Sequence, residues 1–257
     1  MLIATWNVNS IRARLDRLIA WLGRTAPDIV CLQELKVADE EFPAAEIAAA
    51  GYQMAFHGQR TYNGVAILSR SPLEDVSVGM SDAIADDQAR LIAATVGGLR
   101  VLSCYFPNGQ TVGSEKWDYK LAWIGRLRAH LNQRYSPDQP LIVAGDFNVA
   151  PEDRDVARPA EWAGSVHCHE DCRARIRELN EWGLVDSMRI GDPGPGPYTW
   201  WDYRMLAFPK GNGLRIDHLF VTRPVAARVV RSWVDRDERK GKLPSDHAPV
   251  LLELAGS

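Results

Sequence analysis

The chain has 257 residues, 46% of them hydrophobic, enough to bury a large core, and a single domain over residues 1–257 is expected. Thirty Lys and Arg stand against 33 Asp and Glu, a net charge of −3, so the overall field does not mark a nucleic-acid binder, although a metal site that gathers carboxylates shifts this count by itself. No segment approaches the roughly 20 apolar residues of a membrane span, and MLIATWNVNS lacks the basic and apolar regions of a signal peptide; the expectation is a cytoplasmic protein with no membrane partner.

Leu2 to Trp6 reads as a strand, and the spacing of Ile11, Leu15, Leu18, Ile19 and Leu22 places a helix after it, with Asn9 or Ser10 as its N-cap. Pro27-Asp28 breaks that helix, and Ile29 to Gln33 reads as a second strand. Further strands are predicted at 64–68, 91–96, 100–106, 141–147, 214–222, 229–234 and 250–254, with helices at about 115–134 and 171–182. Many strands, few long helices and several connections too short for a crossover helix predict mixed sheets packed together with helices outside, an α/β fold. Cys31 and Cys104 fall in apolar runs and Cys168 and Cys172 in a loop and helix start, so no disulfide framework is visible. GDPGPGP at 191–197 reads as a surface loop.

The stretch LIVAGDFNVAP, residues 141–151, carries the first functional signal. Leu141, Ile142 and Val143 suit burial on both faces, whereas Asp146 is a charge whose burial is costly unless it is paired or binds a metal. Polar residues recur at comparable places: Asn7 follows the first strand, Glu34 ends the second, Tyr105 lies near the end of another, Asn148 ends the next with Asp146, Asp217 is embedded in LRIDHLFV, and Asp246-His247 precedes the last strand. One such residue is an ordinary turn former. Six segments together predict a polar cleft whose oxygen ligands suit Mg²⁺ or Mn²⁺. Ser245-Asp246-His247 is no hydrolase triad, because adjacent residues of an extended segment point to opposite sides. His167, Cys168, His169 and Cys172 lack the separated ligand pairs of a zinc site.

TWNVNSIRARL, IVCLQELK, YNGVAILSR, YFPNG, GDFNVAP, YTWWDYR, LRIDHL and SDHAPV, in this order over almost the whole chain, resemble the exonuclease III family of DNA-repair nucleases, within the endonuclease/exonuclease/phosphatase superfamily. The resemblance implies a four-layered α/β sandwich of two packed mixed β-sheets flanked by helices. It implies a Mg²⁺-dependent phosphodiesterase, with Mn²⁺ as the alternative ion, acting on double-stranded DNA with abasic sites, nicks or 3′ ends, and a monomer. By the same resemblance Glu34 holds the metal, with Asn7 as ligand or orienter, Asn148 near metal and phosphate, and Asp246 at a second metal position. Asp146 orients or deprotonates the attacking water beside the metal, His247 contacts the scissile phosphate, Asp217 fixes the imidazole, and Tyr105 donates toward the phosphate or leaving group. Trp200 and Trp201 match the aromatic segment that packs against a displaced nucleoside, Arg204, Lys210 and Arg215 lie ready for phosphates, and His167 stands in the loop bordering the sugar pocket. A phosphomonoesterase on a small or lipid phosphate and a catalytically silent DNA-end-binding module are the alternatives. The YTWWDYR segment speaks against the first, and the intact Glu34, Asp146, Asn148, Asp217 and His247 against the second.

Overall fold

Ile3, Ala4, Thr5 and Trp6, and likewise Ile29 to Gln33, are buried on both faces, the pattern of strands enclosed between two layers. In the computed structural model, which describes residues 1–191 and 194–256, the elements run as follows. The first half holds β1 (Leu2–Asn7), α1 (Leu15–Thr25), β2 (Ile29–Gln33), α2 (Ala44–Ala49), β3 (Gln53–His57), β4 (Val65–Ser69), β5 (Glu74–Val78), β6 (Leu91–Val96) and β7 (Leu99–Tyr105). The second holds α3 (Glu115–Arg134), β8 (Leu141–Asp146), α4 (Pro159–Trp162), α5 (Glu170–Trp182), β9 (Leu184–Asp186), β10 (Asp217–Thr222), α6 (Arg223–Ala226), β11 (Val229–Val234) and β12 (Val250–Leu254).

The strands form two six-stranded sheets, ordered β11-β12-β1-β2-β4-β3 and β5-β6-β7-β8-β10-β9. Each is antiparallel except for one central parallel pair, β1 with β2 and β7 with β8. A parallel pair needs a long crossover, and α1 and α3 supply it. Alternation along each strand then sorts the side chains. Ile3, Ile29, Cys31 and Ile67 face Ile92, Val101, Ile142, Ala144 and Leu219 between the sheets. Ala4, Trp6, Val30 and Leu32 pack outward on Leu18, Trp21 and Leu22 of α1, while Leu102, Leu141 and Val143 pack on Trp123, Leu127 and Leu131 of α3. The result is the expected four-layered sandwich.

Several boundaries differ from the sequence reading. Helix α1 begins only at Leu15, and its N-cap, Arg14, makes no side-chain cap bond. The side chain of Asn9 is committed to Asp246 and Lys36 instead. Strand β10 starts at Asp217 rather than Leu214, because Leu214 pairs with Trp200 and Val156 in isolated bridges. Strands β3, β5 and β9 and the short helices went unread: β5 is largely exposed and β9 spans 3 residues, so neither carries a strong pattern. Within the 191–197 loop, Asp192 and Pro193 lie outside the described residues.

Candidate active site

Strand periodicity builds the site. Asn7 has the parity of Ile3, Tyr105 that of Val101, Asp146 that of Ile142 and Ala144, and Asp217 that of Leu219, so all belong to the inner faces of the two sheets. They lie at the C-terminal ends of the central parallel strands, or opposite them, as with Asp217 paired to Asp146. One layer deeper Thr5 donates to Gln33 at 3.2 Å, and Gln33 donates to Ser103 of the other sheet at 3.2 Å, so the apolar core has already turned polar below the site.

Hydrogen bonds across the gap between the sheets join the key groups. Asn7 Nδ2 donates to Glu34 Oε1 at 2.8 Å and to Asp146 Oδ2 at 2.9 Å. The Tyr105 hydroxyl donates to Glu34 Oε1 at 2.9 Å. His247 Nδ1 donates to Asp217 Oδ2 at 2.8 Å, which leaves Nε2 turned toward Asp146 Oδ2, 3.8 Å away. Asn148 takes a left-handed backbone, φ 50°, caps Asp146 Oδ1 with its own N–H at 2.9 Å, and accepts at Oδ1 from Asn108 Nδ2 at 3.1 Å. Glu34 is left-handed too, φ 52°, a conformation uncommon for a residue with a Cβ; its carbonyl accepts from the Ser10 N–H at 2.8 Å.

Gly145 makes this delivery possible. A Cβ there would lie 1.8 Å from the Cys104 carbonyl oxygen of the neighbouring strand, so only glycine lets β7 and β8 pair next to Asp146.

The site is strongly polarised. Burial pushes the Asp146 carboxyl up to about 7, against the pull of His247. Burial disfavours the His247 imidazolium, but Asp217 and then Asp146 outweigh it and push the ring up to about 10. Burial alone would raise the Glu34 carboxyl; Lys36, whose ammonium lies 2.8 Å from Oε2, and Asn7 bring it below the usual range. Burial, reinforced by Glu34 and Asp146, holds the Tyr105 hydroxyl well above its ordinary value, so it stays a donor.

Glu34, Asp146 and His247 bring one ligand atom each to within 4.8 Å of one another, the one such group among the described residues. Hard carboxylate oxygens with a neighbouring Asn carbonyl fit Mg²⁺ or Mn²⁺ better than a thiophilic ion. Asp246 stands beside this cluster: Oδ1 accepts from Asn9 Nδ2 at 2.9 Å and Oδ2 from Trp200 Nε1 at 3.0 Å.

The recognition residues divide. Trp200 is half-buried at the cleft, with His167 and Trp162 at ring centroid distances of 6.0 and 5.9 Å. His167 is buried; its Nδ1 donates to the Asn148 carbonyl at 3.0 Å, and burial, then the Lys120 charge, pulls the ring down to about 3. Trp201 does not reach the cleft: it is 1% exposed and packs edge-on against Phe208, so it belongs to a satellite core. Arg215 is also unavailable to phosphates, being 1% exposed and ion-paired with Asp155 at 2.8 Å and Asp186 at 2.7 Å. Arg204 is exposed and bridged to Asp202, and Lys210 is exposed on the following loop. The sequence reading missed Lys36, Asn9, Asn108 and Arg90, whose guanidinium lies 4.8 Å from the Tyr105 ring centre. Lys36, Asn9 and Asn108 stand inside the LQELK, WNVN and YFPNG motifs, which was the available signal.

Comparison with known proteins agrees with this geometry. The profile of the Endonuclease/Exonuclease/phosphatase family matches residues 4–247. Exodeoxyribonuclease III of Haemophilus influenzae is 34% identical, with 99% of this chain and 100% of that protein covered. Two solved structures of NExo from Neisseria, described as a 3′-5′ exonuclease and as a 3′ phosphatase bound to product DNA hairpin, superpose with a TM-score of 0.96 at 42% and 41% identity, over 100% of both chains. An AP endonuclease from Archaeoglobus fulgidus superposes with a TM-score of 0.95 at 40% identity, over 99% of both chains. The chain therefore belongs to the endonuclease/exonuclease/phosphatase family, in its exonuclease III branch.

Proposed function

We propose that this protein is a metal-dependent DNA-repair nuclease that hydrolyses the bond between phosphorus and a 3′ oxygen in double-stranded DNA, as a monomer, with Mg²⁺ as the working ion. The observation that carries the reading is the convergence of Asn7, Glu34, Tyr105, Asp146, Asp217 and His247 from the two sheets on one cleft. Glu34 and Asp146, with Asn7, Asn148 and Asp246 close by, would hold the ion, which when bound supplies charge neutralisation for the phosphate. The other roles belong to the chain itself. Asp146 orients the attacking water and takes its proton, held in place by Asn7 and the Asn148 N–H. The His247 imidazolium, fixed by Asp217, faces the phosphate oxygens with Nε2, and Asn148 adds a neutral contact. Tyr105, kept protonated, donates toward the phosphate or the leaving 3′ oxygen.

Abasic-site cleavage, exonuclease action and 3′-phosphate removal all break the same bond. They differ in what else the phosphorus carries: an abasic sugar flanked by DNA, a terminal nucleoside, or nothing. The buried His167 beside Trp200 narrows the space for that group. This favours a 3′ terminus over an internal abasic sugar, and the two NExo descriptions support the same preference. Trp200 offers its ring to the terminal sugar or base.

The test uses three duplexes: an internal abasic analogue, a recessed 3′-hydroxyl and a 3′-phosphate at a nick, with inositol phosphates as the comparison substrate. Mg²⁺-dependent 3′-phosphatase and exonuclease activity above abasic cleavage is expected. Asp146→Asn should lower turnover at least roughly a hundredfold with folding intact, and His167→Gly should raise abasic cleavage selectively. Hydrolysis of inositol phosphates but not DNA, or DNA binding without turnover, overturns the reading; abasic cleavage that exceeds 3′-phosphate removal overturns the role of His167.

A further inference from the structure

Lys120, in the second turn of α3, is fully buried, and among the described residues no carboxylate touches its ammonium. Its three donors are taken by three backbone carbonyls: Val166 at 2.6 Å, Asn148 at 2.8 Å and Asn108 at 3.1 Å. These carbonyls belong to three separate loops. One carries Asn108, which donates to Asn148 Oδ1; one carries Asn148; one carries His167, whose ring shares the Asn148 carbonyl with Lys120. Gly109 lets the first loop lie on the lysine stem, since with φ at 91° a Cβ would come within 3.0 Å of Lys120 Cδ and 3.2 Å of Trp117. A buried ammonium is costly. A methionine or leucine would fill the same space at lower cost if packing were the only requirement. Asn148 takes a left-handed backbone, which asparagine tolerates, and the shared carbonyl pins that turn from two sides.

We infer that Lys120 is a positioning residue: it clamps the 108, 148 and 166 carbonyls so that Asn148 and the His167 wall keep one fixed relation to the reacting phosphate. The activity arm of the test rests on the proposed nuclease function; the clamp itself does not.

The experiment compares wild type, Lys120→Met, Asn148→Ala and the double variant on the 3′-phosphate duplex, with hydrogen exchange on each full-length protein. In Lys120→Met kcat should fall roughly tenfold or more with KM changed less than about threefold, and the substitution should add little in the Asn148→Ala background. Exchange should accelerate in segments 106–110, 146–150 and 164–168 and not along the rest of α3. Leu127→Ala on the same helix is the control for lost stability and should leave kcat unchanged. Wild-type kcat in Lys120→Met, full additivity with Asn148→Ala, or loosening of all of α3 overturns the inference. If Lys120→Met does not fold, Lys120→Gln, which keeps two donors, replaces it; failure of both to fold makes Lys120 a folding residue and overturns it too. A wild type that cleaves no duplex refutes the function alone, and the exchange pattern still decides the clamp.

Discussion

Replacing Gly145 by alanine tests whether the site depends on the close approach of β7 and β8. The added methyl would sit 1.8 Å from the Cys104 carbonyl oxygen and 2.8 Å from its carbon, so relief to even a 3.0 Å contact displaces the pair by more than an ångström. The backbone at φ 147° is also foreign to alanine. Overpacking and backbone strain together should cost about 2–5 kcal/mol. The displacement falls on the residue before Asp146, whose oxygen lies 2.9 Å from Asn7 of the other sheet. A misplacement of about 1 Å costs on the order of a hundredfold in turnover. Urea unfolding and turnover on the 3′-phosphate duplex, measured on the same preparation, give both quantities. Gly125→Ala is the internal control, since nothing lies within 4 Å of its Cβ position in α3, and it should stabilise by about 0.5–1 kcal/mol with full activity. A Gly145→Ala protein that unfolds with the wild type and turns over at its rate refutes the reasoning.

His218 accepts from Arg215 at Nδ1 and donates from Nε2 to the Val149 carbonyl at 3.0 Å, and burial, then Arg215, pulls its pKa from 6.5 to about 4. The unfolded chain therefore binds the extra proton first: stability is intact above about 6.5 and falls by about 3 kcal/mol as the pH drops toward 4, a loss that His218→Gln should remove from urea midpoints measured across that range; identical slopes refute it. Glu34→Ala should raise the Mg²⁺ concentration needed for turnover and weaken metal binding by calorimetry, and unchanged titrations take Glu34 out of the metal site. Trp200→Ala should cost about 1–3 kcal/mol in DNA binding or transition-state stabilisation with little change in melting temperature, whereas unchanged kinetics on all three duplexes exclude the stacking role.

The strands that carry the chemistry were legible because their apolar, buried runs carry a polar residue at one end: Asn7, Tyr105 and Asp146 close β1, β7 and β8, Glu34 follows β2, and Asp217 opens β10. Their convergence was legible only as a repeated pattern, and the eight motifs supplied the arrangement. Trp201 and Arg215 show where the reading ended. A tryptophan next to a cleft residue points to the opposite side in an extended segment, and Trp201 accordingly lies in the core. An arginine near a DNA-facing motif has the same sequence signature whether it meets phosphates or, like Arg215, is held by Asp155 and Asp186 from distant segments. Asn9 looked like a helix cap because caps and site residues draw on the same short polar side chains.

Neither sheet owns the reaction. Asn7 and Glu34 come from one β-α-β unit, Tyr105 and Asp146 from the other, and the bonds that align them run from one unit to the other. The two units sit on facing sheets, between which the chain crosses twice, and the cleft is their interface. Turnover is therefore a gauge of that docking. Residues such as Ile142 and Ala144, buried between the sheets below the site, set how the sheets seat, and neither sheet alone carries the whole set of groups.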